Sequence, residues 1–120
     1  MSVKRIQNGP RMSQAVVHGN VVYLSGQVAQ ESGGESVSVQ TAEVLRRIDA
    51  LLAEAGTSKS NLITASIWLS DISTFAEMNA VWDGWVDPQN TPARATVESK
   101  LAAPKFTVEI AVTAALDKAG

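Results

Sequence analysis

Apolar residues recur along this chain with two periods, and each change of period marks an element. Ser13 to Val17 and Val21 to Val28 are apolar, partly alternating and rich in valine. His18-Gly19-Asn20 lies between them as a turn signal, so the pattern predicts a β-hairpin. Gln30 to Ser36 (QESGGES) reads as a loop around Gly33-Gly34. From Val39 to Ala55 the period lengthens: Ala42, Leu45, Ile48, Leu52 and Ala55 fall at three- and four-residue spacing and make one helical stripe. Glu43, Arg46, Arg47 and Glu54 mostly take the other side. Ser36 or Ser38 can cap the start, and Gly56 suits the left-handed position after the end.

Leu62 to Leu69 returns to a period of two. Ile63, Ala65, Ile67 and Leu69 are expected on one face, with Thr64, Ser66, Trp68 and Ser70 on the other. Asp71 to Val86 predicts a second helix, capped by Asp71 or Ser73 and stopped by Asp87-Pro88. Its apolar flank is Phe75, Met78, Val81, Trp82 and Trp85, with Asn79 among them. Two further strands are expected. In Ala93 to Lys100, Ala93, Ala95 and Val97 oppose Arg94, Thr96, Glu98 and Lys100; Phe106 to Ala114 alternates more strongly. The short Ala102-Ala103-Pro104 connection predicts that these two pair as a hairpin.

The predicted order is ββαβαββ: an α+β fold with a single mixed sheet and both helices on one face. The other face would carry Tyr23, Trp68, Thr96 and Glu109 beside small residues. Trp68 in mid-strand is a large group to leave wet. Burial of that face, or of its edge, against another subunit is therefore expected, with an ordinary solvated face as the alternative.

Composition narrows the chemistry. The 120 residues, 45% hydrophobic and 18% charged, suit one folded domain over residues 1–120. No apolar run is long enough to span a membrane, and no apolar segment follows the basic N-terminal residues, so a cytoplasmic location is expected. The absence of cysteine excludes disulfides, thiolate catalysis and cysteine zinc sites within the chain. With His18 the one histidine, two-histidine metal motifs are excluded as well. A net charge of −2 without a basic stripe makes nucleic acid an unexpected partner.

Few residues remain to carry a reaction. No phosphate-binding glycine loop or nucleophile elbow is present, and Ser25 reads as a hydrogen-bonding residue at a strand end. His18 falls in a turn with no evident partner. Arg94 lies among small residues in Thr91-Pro92-Ala93-Arg94-Ala95-Thr96, where a guanidinium has room to take a carboxylate by two parallel hydrogen bonds. An ordinary surface arginine is the alternative. Glu109 lies inside the most apolar strand, where a carboxylate faces solvent, finds a partner or holds a water as an acid-base group. The expected hairpin puts it near Arg94, with the shared face left open by the register. Asn79 is either satisfied locally or a ligand contact.

These residues, taken in order, resemble the RidA (YjgF) family of reactive-intermediate deaminases. The likeness covers nearly the whole chain. It includes Gly9-Pro10, Ser13-Gln14-Ala15-Val16-Val17, Gly19-Asn20 and Leu24-Ser25-Gly26-Gln27. It continues through Asp71, Phe75, Met78-Asn79 and Pro92-Ala93-Arg94 to Pro104 and Val108-Glu109-Ile110. The resemblance implies a chorismate-mutase-like homotrimer with clefts between neighbouring subunits. It implies hydrolysis of 2-imino acids to 2-oxo acids and ammonia, with a small-molecule imino acid as partner and no metal or cofactor. It implies that Arg94 binds the substrate carboxylate. It implies that Glu109, helped by a backbone carbonyl near Thr96, holds the attacking water, and that Ser25, Gly26 and Asn79 line the cleft.

Two positions depart from the family pattern. Met12 stands where many of these deaminases carry an aromatic residue at the cleft mouth, and Thr96 stands where cysteine is frequent. Arg11, beside Met12, is expected to favour longer or acidic substrates. A trimer that binds small carboxylates without turning them over is the alternative function. RNA binding or cleavage is a third.

Overall fold

The structure, a computed structural model, describes residues 2–116. Its elements run β1 (Val3–Asn8), β2 (Ser13–His18), β3 (Val21–Leu24), β4 (Gln27–Val28), α1 (Val37–Ala55), β5 (Leu62–Leu69), α2 (Phe75–Trp85), β6 (Ala93–Glu98) and β7 (Val108–Ala115). All seven strands join one mixed sheet in the order β1-β2-β3-β7-β5-β6, with β4 also pairing β7. The α+β class and the two-helix cover follow the expectation.

The helices start and stop as their sequences dictate. Ser36 caps α1 by accepting from the Val39 N–H, and Gly56 closes it at φ 93, where a Cβ would be strained. The stripe of Val44, Leu45, Ile48, Leu51 and Leu52 is buried against the sheet. Asp71 caps a short 3₁₀ turn, Ile72–Thr74, rather than α2 itself, which begins at Phe75. Met78 and Trp82 are its buried anchors, while Phe75 stays exposed.

Three expectations about the sheet are corrected. First, β6 and β7 do not pair as a hairpin: β5 lies between them, parallel to β6 and antiparallel to β7. The 99–107 connection therefore carries the chain past β5 instead of turning it back. Second, Thr96 is not on the open face. It pairs with buried Ile67 and so faces the helices, while Ala93, Ala95 and Val97 take the open face with Ser66 and Trp68. Third, Ile63 is 43% exposed, because a bulge between Leu62 and Thr64 breaks the alternation there. The sheet also gains β1, an edge strand in which only Ile6 is buried.

A second irregularity shapes the site. β3 and β4 both pair β7, but Tyr23 meets Thr113 whereas Gln27 meets Ile110. One extra residue is thus accommodated over Leu24–Gly26. This bulge splits the long strand expected over Val21 to Val28, and β4 parts from β2.

Candidate active site

Glu109 pairs with Trp68 and Val28 across the sheet and points away from the helices. Its carboxylate lies against Gly26 in the bulge. A Cβ built on Gly26 would come within 2.0 Å of Glu109 Oε2, so the glycine provides the space the carboxylate occupies. Burial, with no partner to offset it, raises the Glu109 pKa above the ordinary carboxylate value.

Glu109 and Gly26 line a cleft of about 490 Å³ together with Met12, Gln14, Gln27, Val28 and, from α1, Arg47. The cleft opens where β2 and β4 part. Met12 stands in it as expected, whereas Arg11 is exposed and does not line it. The cleft's cation is Arg47, which sequence reading assigned only to the polar side of a helix. Its Nε donates to Glu43 at 2.7 Å. Glu43, 4% exposed, also accepts from Ser32 N–H and Oγ–H and from the Glu31 N–H. Burial pushes its pKa up, but these donors outweigh it and hold the group at about 2. Glu43 thereby ties the QESGGES loop to α1.

Ser25 does not line the cleft. Its hydroxyl hydrogen bonds to the Gln14 carbonyl at 3.2 Å and accepts from Gln27 Nε2 at 3.2 Å, so it supports neighbouring side chains.

Arg94 is built on the opposite face. It pairs with buried Ala65, which turns its side chain toward α2. There Nη1 donates to Asn79 Oδ1 at 2.8 Å. The guanidinium also lies 5.2 Å from the Trp82 ring centre and 5.9 Å from that of Phe75. Two rings and an amide thus fix an arginine at the edge of the sheet, since β6 is an edge strand. Ser99 N–H donates inward to Leu69 C=O, so the backbone alternation along β6 turns the carbonyl of Thr96 to the free edge. The Thr96 hydroxyl is buried without a hydrogen-bond partner.

The sequence-selected residues therefore form two groups within one chain. Met12, Gly26 and Glu109 meet in the cleft, and Arg94, Asn79 and Thr96 gather under α2 at the other face and edge. His18 is the last residue of β2 rather than a turn residue; it is exposed, at the end of the strand away from Ser13 and the cleft. Among the described residues no group of three or more His, Cys, Asp or Glu could hold a metal, and no helix is long and apolar enough to cross a membrane.

The chain is thus an α+β protein with a mixed sheet covered on one face and a carboxylate cleft at a strand bulge. Comparison with known proteins gives the same class. The family model described as Endoribonuclease L-PSP matches residues 3–116. A RutC family protein of Haemophilus influenzae is 45% identical over 114 residues, covering 95% of this chain and 98% of that protein. The RutC family protein YoaB of Escherichia coli is 40% identical over 116 residues, covering 97% and 100%. The crystal structure of NMB1025, a YjgF family member from Neisseria meningitidis, superposes with a TM-score of 0.95 at 44% identity, covering 99% and 98%. The chain belongs to the YjgF (RidA) family.

Proposed function

We propose that this protein is a homotrimeric hydrolase that converts 2-imino acids to 2-oxo acids and ammonia. The observation that carries the reading is the disposition of Arg94 and Glu109. Each is a prepared group with an unfilled task, and each lies on a different face of the same sheet. They serve one ligand when the Arg94 edge of one copy meets the Glu109 cleft of the next. The open face supports such packing, with Tyr23 48% and Val97 50% exposed beside Trp68.

The chemistry follows from the groups. Arg94 takes the substrate carboxylate, and Asn79 and the two rings hold its plane. The Glu109 carboxylate removes a proton from a water, whose oxygen adds to the imine carbon. The resulting carbinolamine nitrogen is protonated, the C–N bond breaks with its electron pair going to nitrogen, and ammonia leaves. Loss of the hydroxyl proton completes the 2-oxo acid. A protonated imine is already electrophilic, so placement of the water and one proton acceptor are sufficient. A raised pKa makes Glu109 a stronger base than an ordinary carboxylate.

The test uses an amino-acid oxidase to generate imino acids in place, with semicarbazide as the competing trap. Arg94→Ala and Glu109→Ala should each lose activity by about two to four orders of magnitude. Mixed after dissociation and reassembly, the two inactive variants should regain about a quarter of wild-type activity by random assortment in a ring. That recovery requires the groups to come from different copies. Two silent variants that stay silent when mixed would defeat the arrangement, and a silent wild type would defeat the activity.

Met12 at the cleft mouth favours the second reading, a carboxylate-binding trimer without turnover. Glu109→Ala that leaves 2-oxo acid affinity intact, in a protein that hydrolyses no imine, would establish it. A ribonuclease reading draws on the family description, while the chain's net charge of −2 works against holding a polyanion. Retention of RNA on a filter at low salt would revive it.

A further inference from the structure

Gln14 lines the Glu109 cleft, and its amide has one orientation. Gln27 Nε2 lies 3.2 Å from the backbone carbonyl of Ser25, which can only accept, so the Gln27 atom there is the nitrogen. The same Nε2 lies 3.0 Å from the Gln14 side-chain amide, so the Gln14 atom facing it is Oε1. The Ser25 hydroxyl, whose one proton goes to the Gln14 backbone carbonyl at 3.2 Å, lies 3.4 Å from that Oε1. Gln27 is 6% exposed, and these contacts hold its amide in place. Gln14 Nε2 is thus turned away from this network. No described residue accepts from it, and it is not buried. An oriented amide donor facing a cleft that holds a base is a prepared hydrogen-bonding group.

We infer that Gln14 is a second water-holding residue: its Nε2–H donates to the oxygen of the water that Glu109 deprotonates. The inference rests on the deaminase reading of the cleft. A water that donates to Glu109 and accepts from Gln14 has one remaining lone pair, and that pair is the nucleophile. Glu109 and the Thr96 carbonyl can take only the water's protons, so neither fixes the lone pairs of its oxygen. Gln27 and Ser25 are then positioning residues, acting through Gln14. The arrangement also accounts for the polar Ser25-Gly26-Gln27 run at the bulge: Gly26 makes room for the base, while its neighbours fix the donor.

The test combines kinetics with side-chain amide NMR of the intact chain. Gln14→Leu should lower kcat about tenfold to a hundredfold with KM changed by less than about threefold, as loss of an oriented reactant predicts. Gln14→Glu, which replaces the donor by an acceptor, should fall at least as far. Gln27→Leu should show a smaller loss of the same kind, since the amide is then free to flip. Wild-type turnover with kcat kept within about twofold in Gln14→Leu overturns the inference and leaves the deaminase reading standing. If wild type hydrolyses no imine, that reading fails, and the amide spectrum decides the donor geometry. Gln14 side-chain amide proton shifts that follow the Glu109 titration, and lose that dependence in Gln27→Leu, support it. Gln14 amide shifts indifferent to the Glu109 titration overturn it.

Discussion

Gly26 and Glu109 share one volume: the side chain that glycine lacks is the space into which the carboxylate folds. Gly26→Ala would bring its Cβ to 2.0 Å from Oε2 and 2.9 Å from the carboxyl carbon. No positive φ restricts alanine here, and the obstructing atoms belong to the far end of a flexible chain. Gly26→Ala should therefore fold with a small loss of stability, within about 1 kcal/mol. Its imine hydrolysis should fall by about tenfold or more, because the base is displaced. Thermal unfolding and the trap assay on the same sample separate the two effects.

Asn79 holds the plane of the Arg94 guanidinium through one hydrogen bond. Asn79→Ala removes the 2.8 Å acceptor while leaving the Trp82 and Phe75 rings in place. The loss of one such hydrogen bond is worth about 0.5–1.5 kcal/mol, or roughly a twofold to tenfold effect. It should appear in KM with kcat preserved. A kcat that falls with KM unchanged would show Asn79 acting on the chemistry itself.

The pH profile reports Glu109 directly. Its pKa is raised by burial, and as the proposed base it would work deprotonated, so kcat/KM should fall with acid through a value above that of an ordinary glutamate. The stability consequence has a definite sign. The native state holds this proton more tightly than the unfolded chain, so the contribution of Glu109 is most favourable below the unfolded pKa and is lost as pH rises through the folded one. Glu109→Gln should raise the melting temperature at neutral pH, and the gain should vanish in acid. A melting temperature lowered at neutral pH would mean that the carboxylate has a stabilising partner.

Glu43 should behave in the opposite sense. Its pKa falls from 4.5 to about 2, so the stability it contributes is present above the unfolded value and is lost as acid protonates it. Loss of its charged hydrogen bonds in Glu43→Gln should cost roughly 1–3 kcal/mol at neutral pH. The difference from wild type should shrink between about pH 4.5 and pH 2. Faster proteolysis in the 30–36 loop should accompany it, since Ser32 and Glu31 lose their anchor.

Much of this was legible in the sequence where the deciding interactions are local. The Ser36 cap, the Gly56 stop and the bounds of β5 are written in neighbouring residues. The β6–β7 hairpin failed because a short polar connection looks the same whether the chain turns back or passes over an intervening strand. Only the position of β5 decides, and that is a tertiary fact. The pairing with β5 also settles the face left open between Arg94 and Glu109, which lie on opposite sides of the sheet. Both bulges escaped notice because an extra residue leaves the alternating pattern intact on either side of it. β1 was missed because a nearly all-exposed edge strand has no apolar rhythm to read. Gln14 and Arg47 stood in view as a motif residue and a surface charge. Their importance comes from long-range partners: Gln27 across the strand break, and the cleft on the far side of α1.

Because Arg94 and Glu109 lie on opposite faces, each copy in the proposed ring of three would belong to two sites at once. A copy lacking both groups then spoils two sites rather than one. In mixed populations, output should follow the square of the intact fraction, so that half-defective protein retains about a quarter of full activity. A damaged version expressed beside the normal one would act as a poison, and its severity would measure how completely the chain depends on its neighbours.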